Sequence, residues 1–338
     1  MLNQYFINIK NIFTQKDNKY YKVFFFLIFF ILLFILVPYI IPIPDLEKSS
    51  PEDIDITQFI ESSFIEIDGY RTFIIDRGKE NKNVITFLHG FGGSSLFWLD
   101  NLDYLVNKGY RTIAIDLKGF GLSQKGFKYS YDHRSQAEFV YKILTKLGIE
   151  KTNLVGHSMG GNIALHFSYL YPDMLDKLVL VAPAIIETDN IFVSAFSNLI
   201  TLPPFSRYVS HFVLRFFDLD NFRNFLLSTV YKKDGITEDR ILQFYKPLTI
   251  SGWNDSLLGI TRDGYKNKIP EDVFSSLSSK EILLVVGSHD SIVAVDIGLN
   301  YNLKIPNLIL KVIKDVGHLP MIESPIEFNS ILVDFLQK

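Results

Sequence analysis

One serine of the chain has a sequence setting suited to nucleophilic chemistry. Ser158 lies at the centre of Gly156-His-Ser-Met-Gly160, between a short apolar run from Thr152 to Val155 and a helix-like run from Met159 to Leu170. The pattern G-x-S-x-G, with a strand before it and a helix after it, is typical of a nucleophile held on a sharp strand-to-helix turn. Glycines are needed because side chains two positions on either side of the serine would collide. A glycine-rich turn with an incidental serine is the alternative interpretation.

A serine hydroxyl becomes a good nucleophile only beside a base, and that base needs an orienting group. With this turn, the acid and then the histidine are expected to follow the serine along the chain. Asp290 follows one apolar strand in Gly287-Ser-His-Asp290, and His318 follows the next in Asp315-Val-Gly-His318. Because parallel strands end at one edge of a sheet, we expect the three side chains to converge.

Both assignments have competitors. Asp290 is also suited to cap a helix beginning near Ile292, and one residue can do both. His289 competes with His318 as the base, but it neighbours Asp290 and precedes it. Asp116, at the end of an earlier strand, competes as the acid, but it precedes the serine, and such a residue more commonly stabilises a turn.

The negative charge that develops on a substrate oxygen needs backbone N–H donors, each worth on the order of 3 kcal/mol of the barrier. The N–H of Met159, the residue after the nucleophile, is the first expected donor. The second should come from the loop His89-Gly-Phe-Gly-Gly93 after an earlier strand, where we choose the N–H of Phe91. The alternative is that these glycines only make a tight turn. We expect His89 itself to be a buried hydrogen-bonding residue.

Apolar runs of strand length alternate with runs of helical spacing along most of the chain. The expected strands cover 63–68, 70–76, 84–88, 111–115, 152–155, 177–182, 281–286 and 307–313, and the expected helices 95–107, 133–147, 159–170, 293–303 and 325–336. The first two strands read as an antiparallel hairpin, and the others predict a parallel sheet wound by right-handed crossovers.

The alternation breaks over residues 185–270, which are helical in pattern and contain no further strand of this type. An insertion there lies over the sheet edge where open α/β sheets place their sites, so we expect a helical cap. Its aromatic residues either form the cap's own core or line an apolar acyl-chain tunnel or membrane-facing surface; they are Phe192, Phe196, Phe205, Tyr208, Phe212, Phe216, Phe217, Phe222 and Phe225. Lys and Arg are too scattered for an anionic headgroup pocket.

The N-terminal region has the pattern of a membrane anchor. Residues 23–37 are apolar without a break, and the stretch through 41 covers roughly 28 Å as a helix, close to the thickness of a bilayer. Lysines precede it and acids follow it, which predicts a cytoplasmic tail over 1–22 and the remainder beyond the membrane. Residues 42–62 read as a linker. A cleaved signal peptide is disfavoured because no small residues are well placed for cleavage; interfacial anchoring is the other alternative.

Composition excludes several other classes of site. The net charge of −3 gives no reason to expect nucleic acid, and the absence of cysteine excludes disulfides and zinc–thiolate sites. The seven histidines lack metal-ligand spacing. Gly119-Phe-Gly121 follows a strand, but Gln124 replaces the third glycine of a dinucleotide fingerprint. We therefore expect neither metal nor cofactor.

From about residue 63 onward, the chain resembles the α/β-hydrolase superfamily. The motifs that carry the resemblance are His89-Gly-Phe-Gly-Gly93, Asp116-Leu-Lys-Gly-Phe-Gly-Leu-Ser123, Gly156-His-Ser-Met-Gly-Gly161, Gly287-Ser-His-Asp290 and Gly317-His318. The resemblance implies an α/β fold with a mostly parallel eight-stranded sheet, a core over 63–184 and 271–338, and an inserted cap over 185–270. Ser158 argues against the dehalogenase-like and epoxide-hydrolase-like members, which use aspartate there. Met159 departs from the Trp usual in proline-iminopeptidase-like members.

The arrangement of anchor, linker and capped core is similar to membrane-bound monoacylglycerol-lipase-like enzymes. The expected activity is cleavage of carboxylic esters with medium or long acyl chains, from a small-molecule or lipid substrate, through an acyl-enzyme on Ser158. Two alternatives keep the same residues: carbon–carbon bond hydrolysis, and acyl transfer to an acceptor other than water. A third, a non-catalytic membrane-tethered scaffold, is disfavoured by the complete Ser–Asp–His set. The oligomeric state is not predicted.

Overall fold

A single eight-stranded sheet, in the order β1-β2-β4-β3-β5-β6-β7-β8, organises the described part of the chain. The computed structural model describes residues 24–30, 32, 33, 36, 50, 54–56, 59–186, 199, 201, 202, 205–293, 305 and 307–338. The strands are β1 (Ser62–Ile67), β2 (Tyr70–Arg77), β3 (Asn83–Leu88), β4 (Tyr110–Ile115), β5 (Thr152–His157), β6 (Leu175–Val181), β7 (Ile282–Gly287) and β8 (Leu308–Ile313). β1–β2 and β2–β4 pair antiparallel, and the remaining pairs are parallel. The mostly parallel sheet and its N-terminal hairpin are thus confirmed.

The helices follow the strands much as their sequence periodicity predicts. They are α1 (Leu99–Val106), α2 (His133–Lys146), α3 (Met159–Leu170), α4 (Phe205–Phe216), α5 (Leu219–Thr229), α6 (Glu238–Tyr245), α7 (Trp253–Asp263), α8 (Val273–Ser276), α9 (Pro320–Glu323) and α10 (Pro325–Leu336). The helix expected over 95–107 begins instead as a 3-10 turn, Ser95–Trp98, before α1. The helix expected over 293–303 lies outside the described residues, except for Val293.

The sheet is covered on both faces, which explains why its inner strands are apolar without alternation. Neighbouring residues of one strand enter opposite layers: Val155 packs with α1 and α10, whereas Leu154 packs with α2 and α3. Helices α4 to α8 lie between β6 and β7 in the chain. Aromatic side chains of this insertion, including Phe222 and Phe244, join the layer of α1 and α10. These helices therefore pack on the core directly.

The expected division into segments is only partly covered by the structure. Between 185 and 270, the described residues contain helices and no strand, while 187–198, 200, 203 and 204 lie outside them. The tail over 1–22 and most of the linker over 42–62 also lie outside. Of the expected anchor, the described residues 24–30, 32, 33 and 36 are helical. No helix among the described residues is long and apolar enough to cross a bilayer, so the anchor stays a prediction.

Candidate active site

Ser158 occupies a strained turn between β5 and α3. Its backbone has φ 51° and ψ −116°, a region that L-residues rarely adopt. Backbone hydrogen bonds hold this conformation: the Ser158 N–H donates to the Val181 carbonyl at 2.9 Å, and the Ser158 carbonyl accepts from the N–H groups of Gly161, Ala184 and Asn162 at 2.9, 3.0 and 3.4 Å. The turn is therefore fixed by the neighbouring strand β6 and by α3.

The glycines around the serine are required by close backbone contacts. A Cβ on Gly156 would lie 2.3 Å from the Gly160 carbonyl oxygen, and a Cβ on Gly160 would lie 2.5 Å from that of Leu88. A Cβ on Gly161 would lie 2.7 Å from the Cβ of Pro183. Two of these contacts are with rigid backbone, so larger residues would push α3 away from the sheet.

Asp290 and His318 meet at the carboxyl ends of β7 and β8. The Asp290 Oδ2 lies 2.8 Å from the His318 Nδ1, and the two side chains are 0% and 7% exposed. The other carboxylate oxygen, Oδ1, accepts from the N–H groups of Ile292 and Val293 at 2.8 and 2.9 Å, contacts of the N-cap type. Asp290 thus makes the contacts of both roles considered for it. Because a carboxylate only accepts, His318 carries its proton on Nδ1 and leaves Nε2 free as a base.

Ser158 and His318 line the same pocket, but within the described part of the chain no hydrogen bond joins the Ser158 hydroxyl to His318. Such bonds are often long without substrate. His157 holds the backbone of His318 in place, since the His157 Nε2 donates to the His318 carbonyl at 2.9 Å. Burial and the neighbouring His318 hold the pKa of His157 well below its usual value, so it remains a neutral donor.

The competing residues occupy other environments. His289 stacks on the Tyr231 ring with centroids 4.0 Å apart, and its Nδ1 lies 2.9 Å from the Ser288 hydroxyl. It does not line the pocket that contains Ser158. Asp116 is buried, and its carboxylate accepts from the N–H groups of Ser95 and Leu122, both at 2.6 Å. It therefore stabilises the turn after β4.

The loop after β3 lies directly against the serine. A Cβ on Gly90 would lie 2.8 Å from the His157 Nδ1 and 3.1 Å from the Ser158 Cβ. Within the described residues, neither the N–H of Phe91 nor that of Met159 donates a hydrogen bond to a backbone carbonyl. Both are consequently free to bind an oxyanion, as the first N–H groups of a helix often are.

His89 supports this loop. Its Nε2 accepts from the Leu117 N–H at 3.1 Å, and its Nδ1 donates to the Gly90 carbonyl at 2.7 Å. Burial lowers its pKa to about 4, so it stays neutral and keeps this pair of bonds. His89 is thus a buried hydrogen-bonding residue, as its sequence setting predicts.

An apolar pocket of about 340 Å³ opens onto the serine. No Asp, Glu, Lys or Arg is among the described residues lining it, and the lining residues with an imidazole or hydroxyl group are His157, Ser158, Thr229 and His318. The lining residues are Gly90, Phe91, Gly92, Phe97, His157, Ser158, Phe217, Asn221, Phe222, Phe225, Leu226, Thr229, Leu248, Trp253, Ile292, His318 and Leu319. Three of the cap aromatic residues that could form either the cap's core or a tunnel, Phe217, Phe222 and Phe225, line it. The arrangement suits attack on an uncharged substrate with an apolar chain.

Two residues that contact the His318 loop were not predicted from the sequence. His157 is the variable position of G-x-S-x-G, where the motif demands no particular side chain. Glu323 ends α9 and accepts hydrogen bonds from the N–H groups of Gly317 and Leu319, on either side of His318. No local sequence pattern marks either residue, because their partners are backbone groups brought close only by the fold.

Comparison with known proteins places these features in a family. The family model described as "alpha/beta hydrolase fold" matches residues 83–325. The uncharacterized hydrolase YugF of Bacillus subtilis is 26% identical over 271 residues, which cover 80% of this chain and 96% of YugF. A 2-hydroxy-6-oxononadienedioate/2-hydroxy-6-oxononatrienedioate hydrolase of Burkholderia vietnamiensis is 28% identical, over 78% of this chain and 90% of its own.

Solved structures have the same fold. That of a bacterial membrane phospholipase A superposes with a TM-score of 0.66 at 20% identity, and the match covers 93% of this chain and 96% of the other. At this identity the likeness concerns the fold alone. The family match spans most of the chain and includes the strands that carry Ser158 and Asp290. The chain belongs to the α/β-hydrolase family, and this membership supports hydrolase activity.

Proposed function

We propose that the protein is a serine hydrolase that cleaves carboxylic esters with medium or long apolar acyl chains. The observation that carries the proposal is the uncharged pocket that opens onto Ser158 beside two unbonded backbone N–H groups. An acyl chain needs an apolar sheath, and an ester carbonyl needs a nucleophile with oxyanion donors at the end of that sheath.

In the proposed reaction, the Ser158 hydroxyl attacks the ester carbonyl and His318 takes its proton on Nε2. Asp290, bonded to the His318 Nδ1, holds the tautomer and stabilises the imidazolium that forms. The substrate oxygen that becomes negative accepts hydrogen bonds from the N–H groups of Phe91 and Met159. His318 then protonates the departing alcohol, leaving the acyl group on Ser158. A water activated by His318 attacks this acyl-enzyme, and the acid departs as Ser158 regains its proton.

Carbon–carbon bond hydrolysis is the main alternative, because one relative is a hydrolase of 2-hydroxy-6-oxononadienedioate and 2-hydroxy-6-oxononatrienedioate. That substrate is named as a dioate, and two carboxylates entering a pocket need cationic partners there. The described residues that line this pocket include no Lys or Arg. The ester therefore fits better, although acyl transfer to another acceptor would use the same acyl-enzyme.

The proposal includes membrane attachment through residues 23–41, with the N-terminus in the cytoplasm and the catalytic domain on the far side. Its support is the uninterrupted apolar stretch and the lysines before it. One solved structure of similar fold is that of a membrane phospholipase A. Protease added to intact cells should cut the catalytic domain; protection until lysis would contradict this orientation.

A chain-length profile of p-nitrophenyl esters from C2 to C16, on detergent-solubilised protein, tests the activity. Ser158→Ala should abolish it, and Ser168→Ala on the same helix should retain it, since the Ser168 hydroxyl only bonds the Leu165 carbonyl. We expect the maximum at medium or long chains. A maximum at C2 to C4 would contradict the acyl-chain assignment. Inactivity on every ester together with cleavage of a dienoic diketone would favour the carbon–carbon hydrolase.

A further inference from the structure

A short stretch at the end of α5, Ser228–Lys232, contacts both loops that carry the proposed acid and base. On the loop that carries Asp290 (the acid loop), Ser291 donates its hydroxyl to the Ser228 carbonyl at 3.1 Å, and His289 stacks on the Tyr231 ring. On the loop that carries His318 (the base loop), the His318 N–H donates to the Thr229 carbonyl at 2.8 Å. We name this stretch the clamp segment.

The contact between the clamp segment and the base loop leaves no spare room. A Cβ on Gly317 would lie 2.6 Å from the Thr229 carbonyl oxygen and 2.8 Å from the Tyr231 nitrogen. The His318 N–H is bonded to this segment while the His318 carbonyl accepts from His157. The backbone of the proposed base is therefore fixed by the cap insertion on one side and by the nucleophile turn on the other.

One carboxylate joins the two elements. The Glu323 Oε2 accepts from the N–H groups of Tyr231 and Lys232 at 2.8 and 3.0 Å. The same side chain accepts from the Gly317 N–H at 2.9 Å and from the Leu319 N–H at 3.2 Å. Four backbone donors, two from the clamp segment and two flanking His318, thus converge on Glu323. Bonds to an ionised acceptor are roughly twice as strong as neutral ones.

We propose that Glu323 is a positioning residue that couples the clamp segment to the base loop, so that His318 is aligned with Asp290 and Ser158 only while the clamp segment is docked. The inference rests on the proposed role of His318 as the base. Glu323 does not line the pocket and touches no reacting group. It acts on the reaction through the backbone on either side of His318.

The test compares Glu323→Gln with Glu327→Gln, a change of the same kind at an exposed carboxylate four residues further along. In Glu323→Gln, the amide NH₂ faces N–H donors and cannot accept from them. We expect the rate of Ser158 labelling by a fluorophosphonate to fall by about 10²-fold, the loss that a small misplacement of a catalytic group causes. Where the chain-length assay gives activity, kcat should fall with KM nearly unchanged. Glu327→Gln should behave as wild type.

A second readout does not depend on activity. The bridging proton between His318 and Asp290 should give a low-field proton NMR signal in wild type that is lost in Asp290→Ala. We expect this signal to broaden or shift in folded Glu323→Gln. Absence of labelling in wild type would oppose the proposed function, whereas wild-type labelling and an unchanged signal in folded Glu323→Gln would overturn only the positioning role.

Should Glu323→Gln fail to fold, Tyr231→Ala provides the test, because this ring is exposed and its loss removes the stacking on His289 without removing the N–H bond to Glu323. We expect a smaller fall in the labelling rate and a shifted bridging-proton signal. A folded Tyr231→Ala protein with the wild-type rate and signal would overturn the coupling.

Discussion

Replacing Asp290 by Asn separates the two contacts that this carboxylate makes. The Asn oxygen can still accept from the N–H groups of Ile292 and Val293, as Oδ1 does at 2.8 and 2.9 Å. The amide nitrogen then faces the His318 Nδ1, which lies 2.8 Å from Oδ2 in the wild type. Since an amide NH₂ only donates, His318 must accept on Nδ1 and carry its proton on Nε2. In that tautomer it cannot take the proton of Ser158.

The size of the effect follows from this change of tautomer. In a serine protease, the equivalent change leaves the geometry intact and lowers kcat about 10⁴-fold, which corresponds to roughly 5 kcal/mol of barrier. We expect a loss of this order in Asp290→Asn. Stability should change little, because Asn and Asp cap equally well and the contact with His318 persists with reversed polarity. Asp290→Ala, by contrast, removes the cap as well and should lower the free energy of unfolding by about 0.5–2 kcal/mol.

The measurement is kcat on the best ester substrate, with urea unfolding of the same samples. Asp315→Asn is the matched control, because Asp315 follows the adjacent strand but lies 3.9 Å from His289 rather than beside His318. Its kcat should equal that of wild type. If Asp290→Asn keeps activity within a factor of ten while Asp315→Asn loses it, the assignment of the acid is refuted.

Three further predictions concern packing, pH and the pocket. Gly160→Ala should cost about 1–3 kcal/mol of unfolding free energy in urea and most of the activity, because its Cβ would lie 2.5 Å from a β3 carbonyl oxygen. Gly148→Ala, at φ +71° with open space around it, should lose only about 1–2 kcal/mol and no activity per folded molecule. Burial lowers the pKa of His133 from 6.5 to about 4, so the unfolded chain binds the extra proton between these values. As pH drops through this window, His133 should lower the free energy of unfolding by up to about 1.4 kcal/mol per pH unit. His133→Gln should reduce the measured slope by this share only, because burial also lowers the pKa values of His89 and His157; an unchanged slope would contradict the burial effect. Phe225→Ala should lower kcat/KM about tenfold for long-chain esters and leave C2 esters unchanged, and an equal loss on both would show that the ring does not contact the chain.

Much of the fold was predictable because local patterns and tertiary packing agree. Helices α3 and α10 begin and end where the sequence predicts, since α3 starts at the turn of Ser158 and α10 starts with a proline at Pro325. The buried strands were recognisable because both sheet faces are covered and their runs are apolar throughout. The start of α1 differed: residues 95–98 form a 3-10 turn, whose Ser95 N–H bonds the Asp116 carboxylate, a partner distant in sequence.

The candidate site was predictable only as far as it is built from motifs. Ser158, Asp290 and His318 follow strands whose ends meet at one sheet edge, so their proximity follows from topology. The contact between the clamp segment and Glu323 could not be predicted from the sequence. Glu323 and Tyr231 are 92 positions apart, and Glu323 bonds the backbone of Tyr231, which carries no side-chain signature. How the cap insertion packs on the core was equally hidden, since its aromatic residues suit either a core or a pocket wall. In the structure they serve both, with Phe222 in the core layer and in the pocket lining.

The most direct test of the account is to treat detergent-solubilised protein with a fluorophosphonate and locate the adduct by peptide mass spectrometry. We expect a single adduct on Ser158, absent from Ser158→Ala and formed much more slowly in Asp290→Asn. An unmodified Ser158 in folded wild-type protein, or equal labelling in Asp290→Asn, would contradict the proposal that Ser158 is a nucleophile activated by His318 and Asp290.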